Sequence, residues 1–144
     1  MKMGFDSALR SRRGRAGLCA FGFALLCAGP VLVGAQPATP SLQQHPDVVA
    51  VQVRPSGPGR FDFDVTVSSP YDTPQRYADA FRVASLEGAV FGERKLLHDH
   101  ADEQPFTRDL HGVAVPAGVR VVVVQARDSR FGYGGKAMDV ALPG

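Results

Sequence analysis

The chain has 144 residues, 16 of them Lys or Arg and 14 Asp or Glu, for a formal net charge of +2, with two cysteines. The basic excess is confined to the N-terminus: Lys2, Arg10, Arg12, Arg13 and Arg15 stand against Asp6 alone, which leaves 11 bases and 13 acids in residues 36–144. That balance excludes the basic patch that nucleic acid or an anionic membrane surface requires. Both cysteines precede residue 35, so disulfide and thiolate chemistry are excluded from the remainder as well.

Residues 1–35 have the form of a signal peptide. A positive stretch to Arg15 is followed by an uncharged run from Ala16 to Gly34 carrying Leu18, Phe21, Phe23, Leu25, Leu26, Val31, Leu32 and Val33. The run closes on Val33-Gly34-Ala35, small residues that suit cleavage after Ala35. The competing reading is a membrane anchor of about 18 or more apolar residues, against which Gly29-Pro30 and the polar Gln36–Gln44 segment argue. Neither Cys19 nor Cys27 follows the small residues of a lipid-attachment site. Ser11-Arg12-Arg13 resembles the start of a twin-arginine signal, although Gly14-Arg15-Ala16 follows where that motif prefers apolar residues. The membrane is therefore met only in transit, and the 109 residues that remain are expected in the periplasm or outside the cell, enough for one domain with its own apolar core.

Residues 36–46, rich in Pro, Gln, Ala, Ser and Thr, read as a flexible leader, and the folded domain is expected over 47–144. Valine-rich Asp47–Arg54 is a first strand, closed by a turn over Pro55–Gly59. In Arg60–Ser68 the residues Phe61, Phe63, Val65 and Val67 alternate with Asp62, Asp64, Thr66 and Ser68, which predicts a strand with one face in the core and one in water. Together the two runs form a hairpin with a loop of about five residues. A third strand over Tyr77–Leu86 has Tyr77, Phe81 and Val83 as core candidates, with a helical turn in Tyr71–Ala80 as the alternative. After the Glu87-Gly88 turn, Ala89–His98 is a fourth strand running into the acidic His98–Glu103 segment. Phe106–Val115, bent at Gly112, is the fifth. Past Pro116-Ala117-Gly118, the unbroken Val121–Val124 run predicts a central strand covered on both sides. A glycine-rich loop over Asp128–Gly135 and a last strand over Lys136–Leu142 complete an all-β, two-sheet β-sandwich of about seven strands.

Leu110–Gly118, followed by Val122, Val124, Ala126, Asp128 and Ser129, resembles the late strands of a fibronectin type III or related immunoglobulin-like domain. The likeness covers roughly the last third of the chain, and the early tryptophan and late tyrosine of that family are missing. His98-Asp99-His100-Ala101-Asp102-Glu103-Gln104-Pro105-Phe106-Thr107-Arg108, with Gly132-Tyr133-Gly134-Gly135 downstream, is similar to a group of small exported bacterial proteins. That resemblance implies export and this fold, and brings no activity with it.

His98 and His100 are two apart, so on an extended chain both imidazoles face one side and can reach one ion, with Asp102 and Glu103 as further ligands. Nitrogen and carboxylate donors without thiolate suit Cu or Zn. His45 lies in the leader, and His111 sits in the bend at Gly112. Asp62 and Asp64 lie on a water-facing strand without a calcium loop around them. No GxSxG or SxxK motif frames a serine. The expected function is an exported, non-catalytic binding or interaction module with no fixed cofactor, its partner an extracytoplasmic protein or small ligand. Its candidate surface is Gln104, Arg108, Phe131 and Tyr133. The alternative is a periplasmic Cu- or Zn-binding protein using His98, His100, Asp102 and Glu103.

Overall fold

A computed structural model describes residues 42–144. The expected signal peptide and most of the expected leader lie outside the described residues. Eight strands form two antiparallel sheets. β1 (Asp47–Gly57), β2 (Arg60–Ser68) and β5 (Phe106–Ala114) make the first, in that order. The second has the order β4 (Val90–Lys95), β3 (Ala78–Ala84), β6 (Val121–Asp128), β7 (Gly132–Tyr133), and β8 (Met138–Ala141) also pairs with β6. This is the all-β immunoglobulin/fibronectin III-like sandwich, with eight strands because the expected glycine-rich loop Asp128–Gly135 contains the short strand β7, while the expected last strand Lys136–Leu142 corresponds to β8.

The alternation in β2 performs as the pattern dictates: Phe63, Val65 and Val67 are fully buried against Phe81, Val83, Val122 and Val124 of the opposite sheet. Phe61 is only half-buried at the margin of that core. At this point β2 steps from Phe61 to Phe63 while its partner β5 steps from Val113 to Leu110, so β5 carries an extra residue. Gly112 absorbs it at φ +62°, a left-handed conformation glycine adopts without strain. Asp62 accepts the Gly112 N–H at 2.7 Å.

Three expectations need correction. The hairpin loop is shorter than five residues: β1 continues to Gly57, which faces Arg60, leaving Pro58-Gly59 as the turn. Pro55 is admitted into β1 because β1 is an edge strand, where a missing N–H is tolerated. The valine run of β6 is central in the sheet yet not covered on both sides, since Val122 and Val124 are buried while Val121 and Val123 are half-buried. Tyr71–Ala80 holds no helical turn; the 3-10 turn of the domain is Ala101–Glu103.

The part of the leader within the described residues is fastened to the domain. Arg76 donates to the carbonyls of Gln43 and Gln44 at 3.3 and 2.7 Å, and Gln43 donates to the Ser68 carbonyl at 3.2 Å. Pro46 is buried. The segment then crosses Gly134-Gly135, where a Cβ on Gly134 would overlap the His45 ring and one on Gly135 would overlap the Pro46 carbonyl. Close backbone approach is the reason for the glycine pair. Val48 N–H to Lys136 carbonyl at 2.8 Å and Lys136 N–H to Asp47 at 2.7 Å tie the start of β1 to the second sheet. Among the described residues no helix is long and apolar enough to cross a membrane.

Candidate functional site at the β4–β5 corner

Between Lys95 and Phe106 the chain leaves the second sheet and enters the first, and the expected His/Asp/Glu segment lies on this crossing. Asp72, itself buried, anchors it from the β2–β3 connection by accepting the N–H of His100 at 3.1 Å and that of Ala78 at 3.1 Å. The His100 carbonyl in turn accepts Gln104 Nε2 at 3.1 Å and the Glu103 N–H at 3.0 Å. Gln104 spans back to Ser69, accepting its N–H at 2.7 Å and meeting its hydroxyl at 3.1 Å. These bonds satisfy the polar groups of an irregular segment that packs against the core, as burial demands.

The His100 side chain is 3% exposed and stacks on Phe106, with ring centroids 4.0 Å apart and planes 15° from parallel. His98 lies on the same side, as two-residue spacing predicts, with its ring centroid 4.8 Å from that of His100 and tilted by 31°. Burial first, and then the positive charge of Arg108, push the His100 imidazole below its ordinary pKa, so it is neutral at neutral pH. Its Nδ1 is buried without a hydrogen-bond partner.

Beside this stack opens a cavity of about 310 Å³, lined chiefly by Arg94, Leu96, Leu97, His98, His100 and Arg108. Arg94 faces Phe81 across the β3–β4 ladder, and directly paired residues share a sheet face, so a guanidinium is placed on the core side of β4. Its Nε is buried and also lacks a partner. Arg108 lies 5.5 Å from the Phe106 ring centroid and donates to Glu103 at 2.9 Å, which holds the Glu103 carboxyl below the usual carboxylate range. Lys95 is committed to Glu93 at 2.7 Å. Leu97 at the mouth is 84% exposed.

The structure thus brings together His98, His100, Glu103 and Arg108 of the residues singled out in the sequence. Asp102 is exposed on the 3-10 turn, and no group of three or more His, Cys, Asp or Glu side chains converges among the described residues. Gln104 has an architectural role. Phe131 and Tyr133 have other surroundings: Phe131 and Tyr71 flank the Arg76 guanidinium at 4.8 and 4.1 Å, while Tyr133 lies under Arg82 at 3.9 Å and donates its hydroxyl to Glu93. His111 is exposed between Asp62 and Asp109, at 3.3 and 2.9 Å. Sequence reading missed Arg94, Leu97 and Asp72. The available signal was the period-two series Gly92, Arg94, Leu96, which puts a cation in line with apolar and small residues.

The fold defines the chain's class as a small antiparallel sandwich with an irregular, polar inter-sheet crossing. Comparisons with known proteins are sparse: no family model matches the sequence and no solved structure matches it. The chain is 40% identical over 94 residues to a protein of Halomicrobium mukohataei named "Putative lipoprotein". The shared stretch is 65% of this chain and 46% of the relative, so the chain spans under half of that relative's length.

Proposed function

We propose that this chain is an extracytoplasmic, non-catalytic binding module whose ligand surface is the β4–β5 corner. The observation that carries the reading is the cavity of about 310 Å³ in which Arg94, Arg108 and the His98–His100 stack meet the apolar Leu96 and Leu97. An apolar recess with a few converging polar groups is the usual form of a small-molecule site. Export is supported by the charge step at Arg15, the small residues before Gln36 and the name of the Halomicrobium relative. Absence of a framed nucleophile favours binding over catalysis.

The test is a fragment screen on isotopically labelled protein by amide NMR, with neutral, cationic and anionic compounds. Hits of any class should move the resonances of residues 94–108 before those of other loops. Shifts clustered elsewhere, or none, would overturn the assignment.

A further inference from the structure

We infer that the β4–β5 cavity takes the carboxylate of a small organic acid whose apolar body lies along Leu96 and Leu97, an assignment that rests on the binding-module reading and supplies its ligand class. Among the described residues Arg94 has no ion-pair partner, although its guanidinium sits on the core face of its strand and its Nε is buried. A charge partly withdrawn from water and left unpaired carries a desolvation cost, and an entering anion offsets it. No carboxylate lines the cavity. Arg108 brings a second guanidinium, and the planar fork of arginine matches a carboxylate with two parallel hydrogen bonds.

Donor count and wall chemistry narrow the class further. Arg94 and Arg108 line the cavity with two guanidinium groups, whose donors suffice for the two oxygens of one carboxylate. A phosphate would leave further oxygens against Leu96, which is 6% exposed, and Leu97. The volume of about 310 Å³ lies at the lower end of small-molecule sites, roughly 300 to 1,000 Å³.

Glu103 is the built-in competitor. Its carboxylate holds Arg108 through one 2.9 Å contact from a half-exposed position, so a ligand carboxylate draws on a guanidinium already engaged at the rim. Removing the Glu103 charge therefore strengthens binding, whereas removing either arginine weakens it.

Hexanoate, acetate, inorganic phosphate and hexanol, titrated at matched ionic strength into the mature protein and followed by amide NMR, test this. Hexanoate should saturate shifts at residues 94–108, with acetate, phosphate and hexanol each at least about tenfold weaker, the scale of one charge-assisted contact or a few buried methylenes. Arg94→Gln and Arg108→Gln should each weaken hexanoate roughly tenfold or more, and Glu103→Gln should tighten it several-fold. The exposed Glu103 keeps the test meaningful if Arg94→Gln fails to fold. Phosphate binding as tightly as hexanoate, or no response to Glu103→Gln, would overturn the carboxylate assignment. Shifts at 94–108 from hexanol or a cationic fragment, with none from hexanoate, would overturn it while leaving the binding module standing. Silence from every class would remove both.

Discussion

Arg76 Nε lies 3.0 Å from the fully buried carboxylate of Asp128, joining the β2–β3 connection to the end of β6 directly beneath the N-terminal segment. The same guanidinium reaches the Gln43 and Gln44 carbonyls. Asp128 also accepts the Arg130 and Phe131 N–H groups at 2.8 and 2.9 Å. Burial works to raise its pKa, but the N–H groups of Phe131 and Arg130, the Tyr71 hydroxyl and Arg76 outweigh it and hold it below the usual carboxylate range.

From this pair, Arg76→Ala should cost about 1.5 to 3 kcal/mol, the scale of one hydrogen bond to a charged group, because Asp128 would lose its cation while keeping the Arg130 and Phe131 N–H groups. Hydrogen exchange of residues 43–48 should rise with it. A depressed carboxylate pKa contributes stability that is present above the unfolded value of about 3.9 and lost as pH falls below it. Denaturant titrations from pH 4 to pH 2 should show a steep loss in the wild type and a shallower one in Asp128→Asn.

His100 governs a second pH window. Its folded pKa is depressed by burial, so its stabilising contribution is complete above the unfolded value of about 6.5 and declines as pH falls from there toward the folded value. His100→Phe keeps a ring against Phe106 and removes the titration. The variant should therefore lose less melting temperature than the wild type between pH 7 and pH 5; equal losses would assign that window to other groups.

Core packing gives a third expectation. Phe63 is wholly buried, and Phe63→Ala should cost about 3 to 5 kcal/mol by urea denaturation. Phe61, half-buried beside the Gly112 bulge, should cost clearly less when changed in the same way.

The glycine pair makes a fourth. Gly135→Ala meets both a positive φ of 71° and the Pro46 backbone, which cannot swing aside. Gly118→Ala meets only the positive φ of 92°, with open space around it, and should cost about 1 to 2 kcal/mol. Gly135→Ala should be distinctly worse and should release the Gln43–Pro46 segment to limited proteolysis.

Metal titration separates the two ligand chemistries considered for the histidine segment. His98 and His100 are arranged ring over ring, and Arg94 and Arg108 line the same cavity, so a cation would meet two positive charges. Calorimetry with Cu and Zn at neutral pH should give no saturable heat. A saturable heat that disappears in His98→Ala/His100→Ala would establish the metal site instead.

Strands were legible where a single contrast, core against water, writes a period of two. Arg60–Ser68 is the clearest example, and its bounds agree with β2. The same contrast misleads in β6, where β-branched residues fill the outer positions as well. Polar composition also misled at Gln43–Pro46, because main-chain carbonyls hold that segment to Arg76 and carbonyls carry no side-chain signature. The site was half legible. Two-residue spacing placed His98 beside His100, but Arg94 belongs to the corner only through its register with Phe81, which depends on a partner strand.

Pro55 has a consequence for the border of the first sheet. Residues 36–144 carry no cysteine and so no disulfide, and beyond its start the long β1 is an edge strand. A proline there denies an incoming strand one of the donors it would need, and the register break between Val48 and Ala50 interrupts the other end of the same border. The strand that opens the domain is thereby a poorer template for a neighbour's strand than its length and valine content would make it.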